Sequence, residues 1–180
     1  ILFNKKEYAR VITTLKLGLL TAQNTPLKEE LYLQLAEAYY YNKQDSISTE
    51  YYRKVISLNP KNALALNNFS YHLLQMNREL PGALELAELA VKLTPKNSNN
   101  LDTYAWALYK NGKYPEAKKA IRKAMRYGGN KNDVVLEHYG DILYKLGDES
   151  AAYKSWIKAE KYGPGSILLK RKIKERNLIE

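Results

Sequence analysis

Apolar positions recur along the chain at i, i+3, i+4 and i+7, the spacing of one helical face. The clearest copy is residues 98–131. Leu101, Tyr104, Ala105 and Leu108 mark a first helix there, and Ala117, Ala120, Ile121 and Ala124 mark a second. Asn111-Gly112-Lys113 lies between them and predicts a turn, because glycine takes positive φ just past a helix end without a Cβ clash. Ala105 and Ala117 are small where the two helices are expected to meet, and Gly128-Gly129 closes the second helix. Two helices this short cannot bury both apolar faces alone, so the pattern calls for stacked copies.

The copies are there. Pro60, Pro95, Gly129 and Pro164 close successive units at steps of 35, 34 and 35 residues. Gly112 and Gly147 are 35 apart, and Ala83, Ala117 and Ala152 follow one another at 34 and 35. These markers predict units at 29–62, 63–97, 98–132 and 133–166. Residues 1–28 predict the second half of a further unit and a loop, with Tyr8, Val11, Leu15 and Gly18 at the places of Tyr114, Ala117, Ile121 and Ala124. A chain opening on half a unit reads as the interior of a longer array, with any targeting segment out of view. Residues 167–180 predict a capping helix, Leu169 and Ile173 covering the last unit while Lys170, Arg171, Lys174 and Arg176 stay in water. The expected class is all-α, in one array.

Composition removes several functions. With no cysteine there are no disulfides, no thiolate nucleophile and no cysteine zinc site. No run approaches the roughly 18 apolar residues of a membrane-spanning helix. His72 and His138 fall in different units without a metal-spaced partner, and neither a phosphate loop nor a nucleophile motif is present. Nothing therefore points to an enzyme, a metal or a cofactor. The net charge of +10 suits nucleic acid, anionic lipid or acidic protein without choosing among them.

Leu136, Tyr139, Gly140, Leu143 and Gly147, continuing through Ala152, Trp156, Ala159 and Pro164, resemble the tetratricopeptide repeat. The resemblance covers essentially the whole chain. It departs at Lys43, which lacks the turn glycine, at Ser48 and Val55 in place of alanine, and at Gly128-Gly129 in place of proline. It implies an α-solenoid: a right-handed superhelix of about four and a half hairpins plus the capping helix. Residues 101–117 and 136–148 also look like C-terminal repeats of bacterial envelope-associated members, which leans localisation towards the cell envelope on its periplasmic side.

The resemblance further implies that first helices line a concave groove for a protein or peptide partner. The groove would then show Glu37, Tyr40, Tyr41, Asn68, Tyr71, Asp102, Trp106, Tyr109, Lys110, His138, Asp141 and Tyr144. Periodicity agrees for one unit, where Asp102, Trp106, Tyr109 and Lys110 share a face opposite Leu101, Ala105 and Leu108. Two roles fit the rings: anchors of large area and low entropy cost, or packing against the next unit. A clamp for a peptide carboxylate, known in part of the family, would need lysine, asparagine and arginine where Leu33, Glu37, Asn68, Asn99 and Thr103 stand; Asn68 alone fits.

One further surface stands out. Lys118, Lys119, Arg122, Lys123 and Arg126 crowd the second helix of the 98–131 unit with only Glu116 nearby, making like-charge pairs four residues apart. This stripe is a solvated back face or a contact for an acidic protein or membrane; without a nucleic-acid module, nucleic acid is the weakest fit. The readings left standing are a non-catalytic interaction scaffold, a spacer or assembly module of a longer envelope protein, and a basic-patch binder.

Overall fold

Asparagine starts each full unit. Asn24, Asn62, Asn97 and Asn132 each accept a hydrogen bond from the backbone N–H three residues on, satisfying a donor that a helix start would otherwise leave unpaired. In the computed structural model, which describes residues 5–179 (side chains from residue 7), these caps open α2 (Thr25–Tyr41), α4 (Ala63–Gln75), α6 (Ser98–Lys110) and α8 (Asp133–Lys145). The paired second helices are α3 (Asp45–Leu58), α5 (Leu80–Leu93), α7 (Tyr114–Arg126) and α9 (Glu149–Tyr162). α1 (Lys5–Thr21) precedes them and α10 (Leu169–Glu175) follows. Among the described residues there is no strand, and no helix is long and apolar enough to cross a membrane.

The turns explain the irregular units. Gly112 and Gly147 sit at φ 74° and 82°, as their place after a first helix requires. Lys43 and Asn77 take the same left-handed conformation, at φ 62° and 53°, so those turns keep their shape at a cost of about 1–2 kcal/mol each. Gly129 replaces the expected proline for a packing reason: a Cβ there would meet Ser98 Oγ at 2.8 Å and Ala124 O at 3.0 Å. Ser48, in an alanine position, is fully buried and donates to the Ala36 carbonyl at 2.7 Å. Ser70 and Ser155 cross their own hairpins in the same way, to Ala83 O and Leu136 O.

Each second helix packs on its own first helix and on the next one, and α10 packs on α9 in the manner of one more first helix. The core is correspondingly a strip of linked clusters, one around Tyr52, Phe69 and Leu73, one around Leu101, Ile121 and Ile142, one around Leu136, Trp156 and Leu169. α4 touches α6 and α6 touches α8, so first helices form a continuous row along one side. That row carries the candidate site.

Candidate functional site

Neighbouring first helices are stitched together by the polar side chains that the sequence places in the groove. Asn68 Nδ2 on α4 donates to Glu37 Oε1 on α2 at 2.6 Å, and Tyr52 OH donates to the same oxygen at 3.0 Å. His138 Nδ1 on α8 lies 2.9 Å from Asp102 Oδ1 on α6, with both side chains 13 % exposed. At the end of the row, Lys172 Nζ on α10 reaches Glu137 Oε1 at 2.8 Å and Asp141 Oδ2 at 2.7 Å on α8. Three junctions thus use one device: a donor on one first helix, an acid on the helix before it.

The last of these is a buried network. Trp156 Nε1 donates to Asp141 Oδ1 at 2.9 Å, and Ser166 gives Glu137 both its N–H and its hydroxyl. Burial pushes both carboxyls towards protonation. On Glu137 the hydrogen bonds from Lys172 and Ser166 outweigh burial and hold it below the ordinary carboxylate range. Asp141 stays above that range because burial outweighs the charges of Lys172 and His138.

His138 is set in the opposite way to His72. Burial opposes its charge, but the Asp102 carboxylate and its hydrogen bond, with Asp141 and Glu137 behind, raise its pKa above 6.5. A raised folded-state pKa gives stability that is complete below the unfolded value and disappears as pH climbs through the folded one. Urea unfolding should therefore show stability falling as pH rises from 6 through the folded-state pKa, and His138→Gln should remove that slope. His72 is buried without a charge partner, which lowers its pKa to about 3 and keeps it neutral. Its ring stacks on Tyr40, centroids 3.5 Å apart and planes 5° from parallel.

The rings divide by exposure. Tyr41 and Tyr71 are open, at 47 % and 39 %, whereas Tyr40, Trp106 and Tyr144 are half-buried. Burial lifts the Tyr40 hydroxyl to about 12. Tyr109 is a correction: it is 3 % exposed, in the core beneath Trp106 rather than on the groove. Trp106 stacks on both Tyr109 and His138, at 4.6 and 4.2 Å, with Lys110 Nζ 5.9 Å from its ring. The Tyr144 hydroxyl is held by Asn177 at 2.6 Å. Asp141 is a second correction, since at 2 % exposure beside Lys172 and Trp156 it has no surface to offer a partner.

Apolar surface stays open at the other end. A groove of about 840 Å³ runs between α1, α2 and α4, walled by Tyr8, Val11, Leu15, Leu33, Tyr41 and Leu64, with Glu37, Asn68, Gln34 and Glu30 as its polar parts. Glu37, Tyr41 and Asn68 were legible as site residues; Tyr8, Val11, Leu15 and Leu64 were not. Leu64, 58 % exposed in the first turn of α4, is an apolar side chain in a position with no packing role, and that was the available signal.

On α7, Lys118, Lys119, Arg122, Lys123 and Arg126 line a separate depression of about 1010 Å³ with Pro115, Met125 and Leu146. Residues 111–180 hold 16 of the 29 basic and 9 of the 19 acidic side chains, hence seven of the ten net positive charges. The apolar groove and the cationic face are at different ends of the chain.

No family model and no curated protein matches the sequence. Solved structures do match. A tetratricopeptide-repeat protein of Thermus thermophilus superposes with a TM-score of 0.72 at 14 % identity, over 94 % of this chain and 90 % of that one. The fold is the tetratricopeptide-repeat fold. MamA superposes with a TM-score of 0.70 at 17 % identity, over 98 % and 90 % of the two chains. PilF of Pseudomonas aeruginosa does so with a TM-score of 0.67 at 20 % identity, over 96 % and 88 %. At these identities the likeness concerns the tetratricopeptide-repeat architecture, a solenoid of helical hairpins.

Proposed function

We propose that the chain is a non-catalytic protein-interaction scaffold that takes a partner segment at the N-terminal end of its row of first helices. The observation that carries this is the groove between α1, α2 and α4, where Val11 and Leu64 stay exposed and Tyr41, stacked on Tyr8, keeps 47 % of its surface open. Farther along, the rings and polar groups are engaged by one another: Trp106 by Tyr109 and His138, Asp102 by His138, Asp141 by Lys172. Covering an open leucine or tyrosine fully is worth about 1.5–3 kcal/mol, and walls made of packed helices lose little entropy on binding. Tetratricopeptide-repeat neighbours are consistent with a scaffold role, and the open groove supports this position for it.

The double variant Tyr41→Ala, Leu64→Asp tests the location. Both side chains are exposed, so melting should change little while partner capture falls at least tenfold. Trp106→Ala should do the reverse, loosening the stacked layer on His138 and leaving capture in place. Capture that survives the first variant and fails with the second would move the site back to the 98–131 unit.

A further inference from the structure

We propose that the outer face of α7 is a second docking surface, separate from the groove, and that it takes an acidic segment of a partner protein with an apolar residue among its carboxylates. α7 packs between α6 and α8, so this face lies within the stack and not at one of its ends. It holds five cations and one acid. The other second helices are references within the same fold: α3 holds two of each sign, α5 one cation and two acids, α9 three cations and two acids. A solvated second helix therefore does not require what α7 carries. The helix dipole favours Lys123 and Arg126 in the last turn, but gives no reason for Lys118 and Lys119 in the first half.

The charges of α7 are left uncompensated. Lys118, Arg122 and Arg126 follow one another at steps of four residues, as do Lys119 and Lys123, and like charges at that spacing repel. On other helices Arg53, Lys92 and Arg171 each meet a carboxylate, at 3.1, 2.8 and 2.7 Å. Among the described residues, none of the five cations on α7 makes such a pair.

Shape and lining choose the occupant. The five cations share their depression of about 1010 Å³ with Pro115, Met125 and Leu146, so neither an acid nor an aromatic ring lines it. Successive cations of a stripe are about 6 Å apart along the helix axis, close to the spacing of about 7 Å between alternate residues of an extended chain. Alternate carboxylates of an extended segment can therefore each meet a cation, while an apolar side chain between them covers Met125 and Leu146. A bilayer fits less well, because membrane-surface helices send apolar or aromatic side chains past their charges, and Met125 is partly buried against the core. Nucleic acid fits less well too. α7 is packed along Ala117, Ala120, Ile121 and Ala124 instead of projecting as a groove-reading helix does, and its depression has no ring to stack on a base.

The probe is a labelled peptide in which aspartates and glutamates flank a central leucine, titrated against the full chain. Saturable binding that weakens as salt is raised is expected. Arg122→Glu with Lys123→Glu should weaken it at least tenfold, and the neutral pair Arg122→Gln with Lys123→Gln by a smaller factor. Both side chains are exposed, so melting should stay unchanged. Lys154→Glu with Lys158→Glu, the same charge change at exposed positions of α9, should leave binding within twofold. Equal losses from the two reversals would make the attraction one of net charge and overturn the site. A peptide with serine for the leucine should bind several-fold more weakly; equal binding would overturn the apolar seat and with it the proposal. Tyr41→Ala with Leu64→Asp should leave peptide binding intact, and loss with that variant alone would put the peptide in the groove and overturn the α7 site. Absence of peptide binding would overturn the proposal as well. Anionic phosphatidylglycerol vesicles, or a duplex oligonucleotide, held in its place and released by the Arg122→Glu, Lys123→Glu variant would then give the face to a membrane or to nucleic acid.

Discussion

Lys172→Ala should lower stability by about 3–5 kcal/mol, the usual cost of removing one partner of a buried ion pair. Lys172 is almost fully buried and bonds three carboxylate oxygens, Glu137 Oε1 and both oxygens of Asp141. Truncation leaves two carboxylates out of water with no cation. For a chain of this length, a loss of that size lowers the melting temperature by about 10 °C. Stability in a repeat stack is mostly nearest-neighbour, so the loss should concentrate near α10. Hydrogen exchange should speed up in α8, α9 and α10 and stay close to wild type in α2 and α3. Glu137→Gln with Asp141→Asn in the Lys172→Met background should recover part of the loss, because it removes the stranded charges. Uniform acceleration of exchange along the whole chain would contradict this local role.

Trp156→Ala should cost about as much, roughly 3–5 kcal/mol, by opening a cavity beside Leu136, Leu143 and Leu169. It also takes a donor from Asp141. The glycine facing it supplies the control. A Cβ at Gly140 would sit 2.4 Å from Trp156 Cδ1 and Nε1, so Gly140→Ala displaces the indole and destabilises the wild type. In the Trp156→Ala background that clash is gone, and the better helix propensity of alanine over glycine, about 1 kcal/mol, should make Gly140→Ala neutral or stabilising. A double-mutant cycle by urea unfolding reads this change of sign. Trp156→Ala and Lys172→Ala should be non-additive, since both act through Asp141.

Much of the fold could be read from spacing because a repeat states the same rule several times. Gly112 and Gly147, Ala83, Ala117 and Ala152, and the terminal Pro60, Pro95 and Pro164 each give the period independently. Residue types alone did not show that Lys43 and Asn77 would accept left-handed φ in place of glycine, which the packing of each hairpin enforces. Lys172 was missed because an apolar pattern gives the buried face to Leu169 and Ile173 and leaves lysines in water. Its signal was long-range: it lies 35 residues, one period, after Glu137, and Glu137 and Asp141 are spaced for one helical face.

The residues of the proposed groove were legible only in part. Sequence reasoning put weight on Trp106 and Tyr109 because aromatic residues at repeat-equivalent positions look like anchors. Aromatic residues at those positions equally satisfy one another, as the Trp106 layer between Tyr109 and His138 shows. At α1 the error ran the other way. Val11 and Leu15 fill positions that are core in every complete pair, and they read as core; in the structure both line the groove.

Placing a photo-crosslinking residue at position 64, and separately at position 106, in the full chain tests the proposed docking site most directly. The account predicts that the probe at 64 captures a partner in native extract and loses it when Val11→Glu is added, while the probe at 106 captures none. Capture at 106 with none at 64 would contradict it.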